Sequence, residues 1–178
     1  MKKVLLLSTS LRNNSNSDRL ARQFAKGALE TGNEVEIISL IGKTIGFCRG
    51  CLACQKSGSC VIRDDMAAIN EKMKDADVVV FATPVYFYEM AGQMKTLLDR
   101  TDPLFPTDYR FREIYLLATA AEDDESAVDG TVSGLNGWIA CYEHATLKGV
   151  VRGVGANGPG EIEGNPAMHE AYEMGKTV

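Results

Sequence analysis

Val4-Leu5-Leu6-Leu7 followed by Ser8-Thr9-Ser10-Leu11-Arg12-Asn13-Asn14-Ser15-Asn16-Ser17 is the stretch on which the fold turns. Four apolar residues without alternation read as a central parallel strand, buried on both faces. A polar loop follows. Leu20, Ala21, Phe24, Ala25 and Ala28 then recur at helical spacing until Gly32 stops the pattern. The segment is thus a strand, a polar loop and a helix, the repeating unit of a wound α/β sheet.

The unit recurs along the chain. Glu34–Ser39 reads as a second strand. Asp64-Asp65 opens a helix running through Asp75, with acidic residues at its favourable end. Asp77–Ala82 carries Val78-Val79-Val80-Phe81, the strongest buried-strand run, and Thr83-Pro84 ends it. Ala91–Arg100 is helical, with Met94, Leu97 and Leu98 on one side. Glu113–Thr119 is the fourth strand, Ser126–Lys148 a long helix, and Gly149–Ala156 a weaker fifth strand. Residues 157–164 form a Gly-rich loop. Asn165-Pro166 supplies a cap and an N1 proline for a last helix towards Thr177. Alternating strands and helices predict a three-layer α/β sandwich. The expected sheet has five parallel strands in the order 2-1-3-4-5, with ligands at the carboxyl ends of the strands near the switch between strands 1 and 3. Residues 1–178 read as a single domain with a Cys-rich loop at 41–62.

The chain has 178 residues, 45% hydrophobic, and a net charge of −5. It lacks the basic face of a general nucleic-acid binder. No apolar run approaches the roughly 18–20 residues that span a bilayer. Met1-Lys2-Lys3 before Val4–Leu7 is too short for a signal peptide. A cytoplasmic location is therefore expected, with the five cysteines as thiols or ligands.

The loop after the first strand sits where backbone N–H groups and a helix dipole converge on an anion. Ser10, Ser15, Asn16 and Ser17 offer donors, and Arg12 a charge, which suits a terminal phosphate. A solvated turn with helix capping explains such a loop about as well. There is no P-loop and no G-x-G-x-x-G here. The acidic residues of a phosphate-receiver domain are also missing from this strand end. The segment resembles the G-S-P-R-x-x-S-N-T phosphate loop of the NADPH-dependent FMN reductase family. Thr9 replaces the glycine and Leu11 the proline. Ser10, Arg12, Ser15 and Asn16 match, and Ser17 stands for Thr. The resemblance implies a flavodoxin-like fold, with Ser10, Arg12, Ser15, Asn16 and Ser17 holding the FMN phosphate.

Thr83-Pro84-Val85-Tyr86-Phe87-Tyr88 closes the strongest strand. Three aromatics in a row at a strand's carboxyl end suit a flat, mostly apolar ring better than core packing. The stretch A-T-P-V-Y-F-Y-x-M-x-G-Q-x-K-x-x-x-D-R resembles the family's second signature. That implies Pro84, Val85, Tyr86, Phe87 and Tyr88 hold the isoalloxazine edge. Gly92, Gln93, Lys95, Asp99 and Arg100 are read as structural residues that fix this loop and a subunit contact. Thr119, Ala120 and Ala121, with Glu122 and Asp123, are expected to close over the flavin from the fourth strand.

Cys48-x2-Cys51-x2-Cys54-x5-Cys60 places four thiols within 13 residues. This favours a 4Fe-4S cluster over zinc, whose knuckles usually lie farther apart. The spacing also resembles the iron–sulfur flavoprotein branch of the same superfamily, over roughly residues 3–101. Similar segments hold FMN with no cluster, and then the cysteines are free thiols or a redox-labile pair. Both readings stay open. Cys141 reads as a buried apolar residue, His144 and His169 as surface or packing residues, and Met90 and Met94 as core or interface. Asp64-Asp65 is explained by helix N-terminal charge.

The resemblance implies an FMN-binding, NAD(P)H-dependent reductase of flavin or quinone type, with no catalytic acid or base required. The alternative is an iron–sulfur flavoprotein passing electrons from ferredoxin to FMN without NAD(P)H. A third reading is a cofactor-free binding module. Expected partners are small-molecule or protein electron donors and acceptors, with no nucleic acid and no membrane. The aromatic loop and the cysteine loop predict a homodimer or homotetramer that completes the flavin pocket.

Overall fold

The computed structural model describes residues 1–178. The strands are β1 (Lys3–Ser8), β2 (Glu34–Ser39), β3 (Val78–Tyr86), β4 (Glu89–Met90), β5 (Glu113–Thr119) and β6 (Thr146–Gly153). The helices are α1 (Asn16–Glu30), α2 (Ala53–Ser57), α3 (Met66–Asp75), α4 (Gly92–Asp99), α5 (Asp129–Ile139) and α6 (Pro166–Lys176). The parallel strands lie in the order β2-β1-β3-β5-β6, and β4 turns back antiparallel on the end of β3. Apart from that hairpin, this is the expected order.

The pleat distributes β1 and β3 between two cores. Leu5, Leu7, Val79 and Phe81 face one layer, packed with Met66 and Met73 of α3, Met94 and Leu97 of α4 and Leu135 of α5. Val4, Leu6, Val78, Val80 and Ala82 face the other, with Leu20, Phe24 and Ala28 of α1 and Ala171 of α6. Both faces of the central strands are dry, which is why they read as unbroken apolar runs. No helix is long and apolar enough to cross a membrane.

In the second layer α1 and α6 meet backbone to backbone. A Cβ on Gly27 would lie 2.1 Å from the Tyr172 carbonyl oxygen, and one on Gly175 would lie 2.1 Å from that of Phe24. Gly27→Ala is therefore expected to destabilise the protein by about 1–3 kcal/mol through overpacking. This holds although alanine is the better helix former by about 1 kcal/mol. Urea titration checks it, and a stabilised variant would refute the contact.

Several boundaries differ from the expectation. The predicted helix over Ser126–Lys148 is α5 alone, preceded by a 3-10 turn at Glu125–Val128. It ends because Tyr142 drives inward and its hydroxyl donates to the Thr101 carbonyl (3.2 Å), after which Thr146 N–H pairs with the Arg112 carbonyl at 2.9 Å. The last strand accordingly begins three residues earlier than Gly149. Cys141 is exposed rather than buried, because Trp138, Ile139 and Tyr142 take the inward positions. The third strand runs past Thr83-Pro84 to Tyr86. The 41–62 segment contains the short α2. His144 and His169 are exposed, and Met90 and Met94 are buried.

Candidate functional site

Three loops at the carboxyl ends of β1, β3 and β5 meet at a cleft of about 120 Å³. Its walls are Ser10, Arg12, Ser15, Asn16, Ser17, Pro84, Val85, Tyr86, Thr119, Ala121, Ala156 and Asn157. Ten of the sequence-predicted positions thus converge, from segments far apart in the chain. The topology does this by placing β1 between β2 and β3, so that the loops after β1 and β3 leave the sheet side by side.

The first loop enters α1 through Ser15, whose hydroxyl accepts the Asp18 N–H at 3.2 Å. The first-turn N–H groups of Asn16 and Ser17 have no helical carbonyl to reach. The Ser17 hydroxyl is fully buried and has no partner in the protein. Ser10 Oγ accepts the Arg12 N–H at 3.2 Å, leaving its own proton to donate. Arg12 is exposed and its Nη1 donates to the Asn157 carbonyl at 2.7 Å. A buried orphan hydroxyl, a second hydroxyl, a guanidinium and a helix N-terminus form a donor set suited to a phosphate.

Asn16 is differently employed. Its Nδ2 donates to the carbonyls of Ala156 (3.1 Å) and Gly158 (3.0 Å). Its Oδ1 accepts from the N–H groups of Gly160 (2.9 Å) and Ile162 (3.3 Å). All of its side-chain capacity goes into pinning the 156–162 loop against the cleft. Sequence reasoning missed Ala156 and Asn157 as wall residues. Their signal was the Gly-rich loop after the last strand.

The aromatic segment is a hairpin. Val85 pairs with Met90 and Tyr86 with Glu89, leaving Phe87-Tyr88 as a two-residue turn. Both turn residues are left-handed, at φ 52° and 63°. Such turns normally carry Asn-Gly or Gly-Gly. For residues with a Cβ that conformation costs about 1–2 kcal/mol each. Phe87 is 98% exposed and Tyr88 61% exposed at the tip, so neither lines the cleft. Tyr86, half exposed, does.

Thr119 and Ala121 reach the cleft from β5. Ala120 does not, being buried with its N–H bonded to the Gly153 carbonyl at 3.0 Å. Two further bonds, Gly155 N–H to Glu122 (2.7 Å) and Ala156 N–H to Ala120 (3.1 Å), weld this loop to the one after β6.

The cysteine segment lies beyond, on the α3 and α4 side. Cys48 and Cys51 are exposed, Cys60 is half-buried and Cys54 is buried. Cys54 Sγ donates to Asp102 Oδ2 at 3.0 Å. Burial and the neighbouring Asp102 carboxylate push its thiol pKa up to about 11. No three of these residues converge as a group that could hold a metal ion. The loop is clasped at its base by Arg100. Its Nη1 donates to the Gly46 carbonyl (2.7 Å), and its guanidinium grips Asp64 at 2.7 and 2.9 Å. The Arg100 hydrogen bond holds the Asp64 carboxyl below the usual carboxylate range despite its burial. Asp64, read from the sequence as helix-end charge, is thus an ion-pair partner. Arg100 fixes the cysteine loop rather than the aromatic one.

Residues 2–136 match the family described as NADPH-dependent FMN reductase. An iron–sulfur flavoprotein of Methanocaldococcus jannaschii is 41% identical over 102 residues, covering 57% of this chain and 53% of the relative. One of Methanosarcina thermophila is 27% identical over 97% of this chain and 87% of its own. Over the strongest of these alignments the chain spans about half the length of the curated relatives it matches. Among solved structures, an NAD(P)H:quinone oxidoreductase of Methanothermobacter marburgensis superposes with a TM-score of 0.79 at 16% identity, over 99% of this chain and 95% of that one. An azoreductase of Bacillus anthracis gives 0.75 at 16%, over the whole of both chains. These likenesses establish the flavodoxin-like fold.

Proposed function

The chain belongs to the NADPH-dependent FMN reductase family, and on that premise we propose that it binds FMN in the three-loop cleft and acts as an NAD(P)H-dependent reductase of flavin or quinone type. The observation that carries this reading is the buried, unpartnered Ser17 hydroxyl at the floor of a cleft whose other walls are Ser10, Arg12 and the start of α1. A buried hydroxyl with no protein partner that lines a cleft is free to donate to whatever enters it. FMN fits this donor set through its phosphate.

Ser10, Arg12, Ser15, Ser17 and the α1 N–H groups would hold the phosphate, while Asn16 holds the wall. A cleft of about 120 Å³ is smaller than the roughly 300–1,000 Å³ that encloses a whole ligand. Pro84, Val85 and Tyr86 would hold the ring edge on the hairpin side, and Thr119 and Ala121 would face it from β5, whereas Ala120, expected there from the sequence, is buried behind them. Bound FMN supplies hydride acceptance and electron donation. The protein would position the ring, with no side chain required as acid or base. The exposed Tyr86, Phe87 and Tyr88 suit a homodimer or homotetramer that covers the ring. Five free cysteines suit the reducing cytoplasm.

A second reading is favoured by the cysteine segment and by the iron–sulfur flavoproteins among the relatives. Cys48, Cys51, Cys54 and Cys60 match a 4Fe-4S cluster in number and kind. As folded they do not fit one, because Cys54 is turned to Asp102. The Cys54–Asp102 contact must break before the loop can present four sulfurs.

Anaerobic purification followed by an absorption spectrum, iron and sulfide analysis, and assays with NADH and NADPH tests both readings. Flavin absorption with nicotinamide-driven quinone or flavin reduction supports the reductase. About four iron per chain with no nicotinamide activity supports the electron carrier. A folded, colourless protein that takes up no FMN overturns both.

A further inference from the structure

We propose that Gly130, on α5 and outside the cleft, is the positioning residue for the aromatic hairpin that holds the flavin edge. The inference rests on the FMN reading above. α5 crosses the hairpin at β4, and Gly130 meets the backbone of the turn itself. A Cβ on Gly130 would lie 2.2 Å from the Tyr88 carbonyl oxygen and 3.3 Å from its carbonyl carbon. The obstacle is main chain, so it cannot rotate away as a side-chain tip does. Tyr88 is one of three residues, with Leu52 and Phe87, held left-handed without being glycine or asparagine. A turn of Phe87-Tyr88 has little local preference for this shape, so its conformation must be set by what packs on it. The absence of a Cβ at position 130 is what allows α5 to press on it.

The rest of α5 supplies graded comparisons. A Cβ on Gly134 would meet only the flexible Met90 Cε at 2.8 Å, with the Glu89 carboxylate next. A Cβ on Gly137 would meet nothing within 4 Å. Alanine at each of the three sites makes the same change in helix propensity. Differences among them therefore report the hairpin contact. Pro84, Val85 and Tyr86 lead directly into the turn, so displacing Tyr88 moves the cleft wall.

The experiment measures FMN dissociation constants by fluorescence quenching for Gly130→Ala, Gly134→Ala and Gly137→Ala, with the visible circular dichroism of the bound flavin. Amide hydrogen exchange at Tyr88–Met90 is followed in FMN-free protein. The expected order is a loss of tenfold or more for Gly130→Ala with altered dichroism and faster exchange, a loss of about two- to threefold for Gly134→Ala, and no change for Gly137→Ala. Should Gly130→Ala fail to fold, the contrast between Gly134→Ala and Gly137→Ala decides. Wild-type affinity and dichroism in Gly130→Ala, or equal affinities at 134 and 137 where Gly130→Ala does not fold, overturn the inference while leaving the FMN reading standing. A wild-type protein that binds no FMN removes that reading and the inference with it.

Discussion

Replacing Ser17 by alanine leaves the FMN-free protein at least as stable as before and weakens FMN binding by one to two orders of magnitude. The two halves of this expectation come from one atom. Ser17 Oγ is fully buried at the start of α1 and has no partner. A buried hydroxyl without a hydrogen bond costs about 1–3 kcal/mol by mutational measures, so deleting it relieves the empty protein. Once a phosphate occupies the cleft, the same hydroxyl donates to a charged acceptor, a bond of about 1.5–3 kcal/mol. At 1.4 kcal/mol per factor of ten, that is roughly a 10- to 150-fold loss of affinity. Urea titration of FMN-free protein and a fluorescence titration with FMN read the halves separately. A variant that loses stability and keeps its affinity would place Ser17 in the core rather than in the site. Asn16 provides the contrast, since its side chain holds four backbone groups of the 156–162 loop. Removing it unbalances the fold before any ligand is present.

Ser17 also shows what a sequence can carry. Its place in the loop between β1 and α1 was legible because a strand, a polar loop and a helix are local features with distinct periodicities. The other cleft positions were legible by different routes, Pro84, Val85 and Tyr86 through the family resemblance and Thr119 and Ala121 through the expected strand order. What escaped was non-local. The Phe87-Tyr88 turn bears no turn residue, yet its backbone is left-handed, and Gly130 of α5, remote in sequence, lies against it. The end of α5 is decided by Tyr142 reaching Thr101, about forty positions away in the chain. Cys141 would be buried only on a helix continued through it, and it is exposed because α5 stops at Ile139. Arg100 closes a helix in the sequence, a position usually left to solvent, and only the folded chain brings Gly46 and Asp64 to it.

Arg100 carries the second large expectation. Arg100→Ala is expected to cost about 3–5 kcal/mol, the range for stranding one partner of a buried ion pair. That is a large share of the roughly 5–15 kcal/mol that holds a domain folded. The side chains of Arg100 and Asp64 are 1% and 5% exposed, so water cannot take the place of the missing guanidinium. The loss is also local. Arg100 and Asp102 follow α4 directly and grip the cysteine segment at Gly46, Asp64 and Cys54, while Thr101 between them receives Trp138 Nε1 at 2.9 Å and the Tyr142 hydroxyl. Limited proteolysis should therefore cut Arg100→Ala first within residues 46–62. Replacing both partners by leucine should cost less than the single change, since no charge is then left buried. The pH dependence has a fixed sign. Asp64 is held below the ordinary carboxylate value, first by its hydrogen bond from Arg100. The pair's stabilisation is complete above the unfolded aspartate pKa near about 3.9 and fades as pH falls through the lower folded value. The stability gap between wild type and Arg100→Ala should narrow as pH falls from neutral to about pH 3, because the stranded, buried Asp64 of the variant is relieved by protonation while the wild-type pair loses its charge partner. Urea titrations across that range measure it. A gap that stays flat to pH 3 would assign the loss to the packing of the arginine stem, and the clasp would then owe nothing to Asp64.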